Sequence, residues 1–262
     1  MNENVEYLRK RFAETVFKSD NPTIMDAVEK AYADMSRRAT GHKPIIKETC
    51  ALWLTEEVFD KKFFNRIFCN QDDFNNWHKE TSEAFVEKFN SVAKSSIKGT
   101  YGRAQKVINM SLKYLSCIPN ISESILKHSK YYHMTLDGYT LNWYKRTIDK
   151  SFKNEWSKIE SYAEYSSIQT KIRNHLTEEN RFYEINVSKL PKIKSVLLPK
   201  NPFDAEFIIW EGEIVASKYD NLIKEIDKYY CMNKTDSWRE KDKWLIDDGF
   251  NDYLQRIVKG KQ

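Results

Sequence analysis

The chain has 262 residues, 43 of them basic and 38 acidic, and its net charge of +5 permits a nucleic-acid partner without demanding one. A chain of this length buries roughly 70–75% of its unfolded surface and needs no staple, and the four cysteines, Cys50, Cys69, Cys117 and Cys231, form neither a C-x-x-C pair nor a metal-ligand spacing with histidine. No apolar run reaches the roughly 18 residues of a membrane span, and MNENVEYLRKRFAE carries charges instead of a signal-like apolar core; a reducing, cytoplasmic setting without membrane contact is expected.

In chain order, Val5, Leu8, Phe12, Val16 and Phe17 fall at helical spacing. Asn21 or Asp20 as cap, with Pro22 at the first position, starts a second helix through about Ser36. The polar stretch RRATGHKP reads as a loop, and residues 45–68 as short helices. Residues 72–95 are amphipathic, with Phe74, Trp77, Phe85, Phe89 and Val92 on one side. A short helix is predicted over 121–132, capped by Ser122, and another from Asp137 and Gly138 through Tyr139, Trp143 and Ile148. The spacing of Trp156, Ile159, Ala163, Ile168, Ile172 and Leu176 predicts a long helix over 154–176.

Residues 182–198 lose helical period, are dense in β-branched side chains and are split by Pro191, which predicts a small β-hairpin or extended crossing. Asn201, Pro202 and Asp204 then mark a helix start, although FIIWEGEIVA also fits a hairpin turning at Glu211 and Gly212. Amphipathic helices over 218–231 and 236–258 close the chain. The fold class is mostly α, a single multi-helix, bundle-like domain, with residues 96–100 as the one place a subdivision would fall.

The stretch most suggestive of function is Gly99–Ile118, GTYGRAQKVINMSLKYLSCI. At about 100° per residue, Gln105, Lys106, Asn109 and Lys113 share one arc of the helix while Ala104, Val107, Ile108, Leu112 and Leu115 fill the other side. A solvated face in this chain would more often alternate Glu and Lys; amides and ammonium groups with no acid among them fit an acceptor-rich partner, either a buried carboxylate of the same chain or a phosphate from outside. Gly99 and Gly102 let something approach the first turn closely.

Other chemistry-bearing residues fall around it. Arg37 and His42, in RRATGH, have the R-x4-H spacing that resembles the dyad of the HEPN-type helical ribonucleases, in which arginine stabilises phosphate charge and histidine exchanges a proton with the ribose hydroxyl. The chain departs from that pattern: a second arginine follows Arg37, and Gly41 and Pro44 flank the histidine. His133 and Asp137 sit four apart, either as an imidazole oriented by a carboxylate or as a loop histidine followed by a helix cap. Gln169 and Arg173 lie one helical turn apart, where the guanidinium can clamp a phosphate or pair with a surface acid. Glu206 stands among Phe203, Phe207, Ile208 and Trp210, and a carboxylate there must be paired or solvated at an edge, with Lys106 or Arg173 as the natural partner.

No phosphate-loop, dinucleotide, nucleophile-elbow, zinc-protease or EF-hand motif occurs, so neither a cofactor nor a metal site is expected. The leading expectation is a protein that binds a phosphate-bearing ligand, nucleic acid or nucleotide, through Gln105, Lys106, Asn109, Lys113, Gln169 and Arg173. Its catalytic form would be a nuclease working through His133, Asp137 and Glu206. The alternative is a non-catalytic protein-interaction module, an inhibitor or regulatory subunit with an aromatic-rich surface.

Overall fold

The computed structural model describes residues 3–17, 21–36, 44–93, 97–179, 181–185 and 193–232. The Arg37/His42 pair and the helix expected over 236–258 lie outside the described residues.

The architecture is mostly helical. Helices α1 (Glu3–Val16), α2 (Ile24–Ser36) and α3 (Pro44–Trp53) come first, α3 passing into a wider π-turn over Leu54–Val58. Asp60 caps α4 (Lys61–Asn65) by accepting from the Lys62 and Phe63 N–H groups. Then come α5 (Gln71–Ala93), α6 (Tyr101–Leu115) and α7 (Pro119–Leu126). A single 3-10 turn, Ser129–Tyr131, leads into residues 132–137, which belong to no helix or strand, and α8 (Gly138–Thr147) follows. A second 3-10 turn at Trp156–Lys158 precedes α9 (Tyr162–Thr177), and a hairpin of β1 (Phe182–Ile185) and β2 (Ile193–Leu197) precedes α10 (Pro202–Met232).

Several boundaries differ from the sequence expectation. Helix α2 begins at Ile24, with the Thr23 hydroxyl accepting from the Asp26 N–H, and not at Pro22. The helix expected over 121–132 ends at Leu126, and the one expected over 218–231 is the continuation of α10. Three further differences have local reasons. The helix expected over 154–176 begins only at Tyr162, because Ser161 in extended conformation turns its hydroxyl onto the Glu164 N–H and starts a new helix there. The stretch FIIWEGEIVA is helical throughout, inside α10, whose start is capped by Asn201 accepting from the Phe203 N–H. Pro119 opens α7 as its first residue, so that helix starts three residues before Ser122.

The antiparallel hairpin pairs Phe182 with Leu197 and Tyr183 with Val196, and a register shift follows at Tyr183/Glu184. It docks on α10 because Gly212 has no side chain: a Cβ there would lie 2.2 Å from the Tyr183 ring. Tyr183 donates its hydroxyl proton to Glu213 (2.8 Å), which also receives the Arg146 guanidinium.

The core is organised on α6, which packs against α2, α5, α7, α9 and the turn at Trp156–Lys158. Every residue of α6 except Arg103 is buried. The two-faced helix of the sequence is therefore a rod buried all round, and its polar stripe has to be satisfied from within the protein.

Candidate functional site

Two features meet on α6: a sealed polar network and an open cleft. The network holds residues 132–137, whose main chain has no ladder partner, with side chains from three helices. Gln105 of α6 accepts from the Leu136 N–H (3.1 Å) and donates to the Leu136 carbonyl (2.8 Å). Gln169 of α9 does the same to Met134, at 3.2 and 2.7 Å. Glu206 of α10 accepts from the Thr135 N–H at 2.7 Å. Each amide mimics a neighbouring strand, so a non-helical segment is tolerated inside a helical core.

The main chain also fixes the polarity of everything further along. Because Leu136 N–H can only donate, Gln105 presents Oε1 on that side, and Asn109 must turn its Nδ2 to that oxygen (3.2 Å) and to the Tyr165 hydroxyl (2.9 Å). Asn109 Oδ1 then faces His78 Nε2 at 3.0 Å, so His78 carries its proton on Nε2 and its Nδ1 accepts from the Tyr101 hydroxyl at 3.2 Å. Tyr165 donates in turn to His133 Nδ1 (3.0 Å), and His133 Nε2–H donates to Asn75 Oδ1 (2.9 Å), which also receives Gln71 Nε2. Gln71 is oriented independently by the Tyr131 carbonyl, and the two ends agree.

Both imidazoles are neutral. Burial pushes His78 down to about 3 and His133 well below the usual histidine range, with the nearby Arg173 guanidinium adding to the effect on His133. In the unfolded chain the same groups take up a proton near pH 6.5. The unfolded state therefore binds more protons on the acid side, and stability present above pH ~6.5 is lost progressively as pH drops below it. Imidazole resonances followed by NMR should show neither ring titrating between about pH 5 and 8; a titration midpoint near 6.5 for either would mean that the ring reaches water.

The sequence-selected residues do converge here, in a packed interior and not around an open pocket. Lys113 pairs with Glu206 at 2.9 Å, the side chains 0% and 1% exposed, and its ammonium also lies 4.8–4.9 Å from the centroids of Phe12, Phe207 and Trp210. Glu206 thus takes Lys113 as its partner, in place of the Lys106 or Arg173 expected from sequence. Burial nonetheless holds its carboxyl above the usual carboxylate range, against the pull of Lys113 and the Thr135 N–H.

Arg173 directs its guanidinium at the Lys130, Tyr131 and Tyr132 carbonyls, capping the end of the first 3-10 turn. Asp137 is the N-cap of α8, accepting from the Tyr139 and Thr140 N–H groups, and its other oxygen receives the Trp210 indole N–H at 3.2 Å. His133 and Asp137 therefore make separate contacts. Gln105, Asn109, Lys113, Gln169, His133 and Glu206 are all buried behind these bonds.

Lys106 is different. It is 8% exposed, its ammonium stands 4.4 Å from the centroid of the Trp156 ring, and it lines a cleft of about 720 Å³. That cleft lies between α1, α2, α6, α8, α10 and the turn at Trp156–Lys158, and Lys30, Lys145, Asp34, Asp137, Tyr139 and Trp210 also face it. Gly102 sets one wall: a Cβ there would lie 1.7 Å from the Trp156 carbonyl oxygen, and its N–H donates to the Ile159 carbonyl at 2.9 Å. The close approach anticipated at this glycine is made by the protein's own main chain.

The network members missed by sequence reasoning are His78, Tyr101, Tyr165, Asn75 and Gln71. One signal was available: His78 falls on the same helical side as Phe74, Phe85 and Phe89, where an imidazole must be bonded on both nitrogens. Among the described residues no three His, Cys, Asp or Glu side chains are grouped as for a metal ion, and no helix is long and apolar enough to cross a membrane. No protein-family model, curated protein or solved structure matches the chain.

Proposed function

We propose that the protein binds a phosphate-bearing ligand, a nucleotide or a nucleotide unit of a nucleic acid, in the open cleft beside α6. The observation that carries this reading is Lys106, the member of the α6 stripe that reaches the cleft, set against an aromatic ring and facing the same space as Lys30 of α2 and Lys145 of α8. At about 720 Å³ the cleft has the size of small-molecule sites, roughly 300–1,000 Å³. Two of its carboxylates are engaged internally, Asp34 by the Tyr114 hydroxyl and Lys30, and Asp137 by the α8 N–H groups and Trp210. Binding without chemistry is the better-supported form, since His133 and Glu206 are sealed behind the network.

The test is equilibrium binding of mononucleotides and short single-stranded RNA at low and at physiological salt. Saturable binding that weakens with salt, and weakens about tenfold or more in Lys106→Ala/Lys145→Ala, is expected; absence of binding to either probe at low salt overturns the proposal. A protein-interaction role is the second reading, favoured by the outward cross-strand pair Phe182 and Leu197, 37% and 44% exposed. Its mark would be concentration-dependent self-association on gel filtration that Phe182→Ser abolishes.

A further inference from the structure

Resting on the cleft reading, we infer that Trp156 is the platform on which the ligand's planar ring stacks, and that Lys106 gives up that ring face on binding and moves to the ligand's single phosphate. The argument begins with how Trp156 is held. Its turn is fixed to the first turn of α6 through main chain: the Trp156 carbonyl presses on Gly102, the Gly102 N–H donates to Ile159, and the Thr100 hydroxyl donates to the Ser157 carbonyl at 2.9 Å. The ring is thus placed by its backbone and needs no ligand to order it, which is what a stacking platform requires.

The other rings of the cleft are committed to its wall. Trp210 donates its indole N–H to Asp137, presents a face to the buried Lys113 and meets Phe12 and Tyr139 edge to face. Tyr114 stacks on Phe12, their centroids 5.3 Å apart, and bonds Asp34. Trp156 instead carries the Lys106 ammonium over its ring. A lysine side chain has four rotatable bonds and a point charge with no required plane, so it can leave a ring for an anion without moving the main chain.

The charge of the cleft sets the ligand class. Lys30 is paired with Asp34, Glu155 with Lys158, and Asp137 accepts from N–H groups, so Lys106 and Lys145 carry the positive charge of the lining, which suits one phosphate ester and disfavours a triphosphate or a long strand. The site therefore fits a nucleoside monophosphate, in which a ring and one phosphate are held on the same sugar.

Adenosine 5′-monophosphate, adenosine and inorganic phosphate, titrated by calorimetry into the full chain, distinguish the outcomes. The monophosphate should bind about tenfold or more tightly than either fragment, and adenosine triphosphate no tighter than the monophosphate. Trp156→Leu should weaken the monophosphate about tenfold and leave phosphate unchanged, while Trp156→Phe, which keeps a ring and serves if the leucine variant fails to fold, stays within about threefold of the parent. Lys106→Met should act in opposite directions, weakening the monophosphate and strengthening adenosine, because it removes the group that competes for the ring. A purely structural lysine would weaken both or neither. Monophosphate binding that is indifferent to Trp156, or adenosine binding that falls in Lys106→Met, overturns the inference and leaves the cleft reading standing; failure of all these probes and of short RNA removes both.

Discussion

Replacing Lys113 by methionine is expected to destabilise the fold by about 3–5 kcal/mol, a large part of the roughly 5–15 kcal/mol that holds a typical domain together. The substitution keeps the length of the side chain and its contact with Phe12, Phe207 and Trp210, but leaves the Glu206 carboxylate, 1% exposed, with only the Thr135 N–H. Urea denaturation at neutral pH reads the loss as a lower midpoint at unchanged slope. The double variant with Glu206→Gln, which still accepts from Thr135, should recover most of it, because a neutral pair in the same volume carries no desolvated charge.

The pH dependence checks the cause. Burial already raises the Glu206 carboxyl in the folded state, and Lys113 is among the groups that hold it down. Without Lys113 the folded carboxyl rises further. A raised carboxyl favours folding below the unfolded pKa, near 4.3, and that contribution is lost as pH climbs through the folded pKa. The deficit of Lys113→Met relative to the parent should therefore shrink as pH is lowered from about 7 towards the carboxylate range, the histidine effect being common to both proteins. A deficit below about 1 kcal/mol, or one that does not change with pH, would show that the pair does not carry the burial energy assigned to it.

Gln105→Leu is the second large effect, about 3–6 kcal/mol. The leucine fills nearly the same volume, so the loss comes from hydrogen bonding: the Leu136 N–H and carbonyl both lose their partner, and Asn109 loses the oxygen that orients it. For a chain of this length each kcal/mol lowers Tm by about 2–4 °C, so a drop of roughly 6–24 °C is expected in a thermal melt. Gln169→Leu should act in the same way on Met134, and the double variant should lose less than the sum, since both glutamines clamp one segment and its release is a single event. A melt of Gln105→Leu within about 3 °C of the parent would mean that water replaces the amide there.

What was legible in the sequence was the helical content and most of its punctuation. Asp137 reads as a cap because a carboxylate before a glycine at a helix start has N–H groups to accept from, and Pro202 with Asp204 marks the start of α10 for the same reason. The boundary at Ser161 was hidden, since apolar residues keep helical phase across the break and only the serine marks it. The α6 stripe was legible as unusual, and the buried carboxylate named as one of its two candidate partners is there in Glu206. Which of the two it would be was not legible, because the partners of Gln105, Gln169 and Glu206 lie 31, 35 and 71 residues away in the chain, and helical period describes a face without saying what covers it. The cleft escaped for a related reason: its walls come from six elements, and Trp156 reads in sequence as one more apolar position of a helix.

The clamp on residues 132–137 also bears on how the chain reaches its native state. Individual helices form locally and fast, but the segment between α7 and α8 gains its bonds only once α6, α9 and α10 surround it, and the residues that clamp it lie 31 to 71 positions away in the chain. Closing such distant loops must precede the reward, so folding is slowed by topology despite the helical content. Insertion of the segment belongs to the last steps, and a nascent chain that has not yet produced α10 holds Thr135 without the carboxylate that receives its amide.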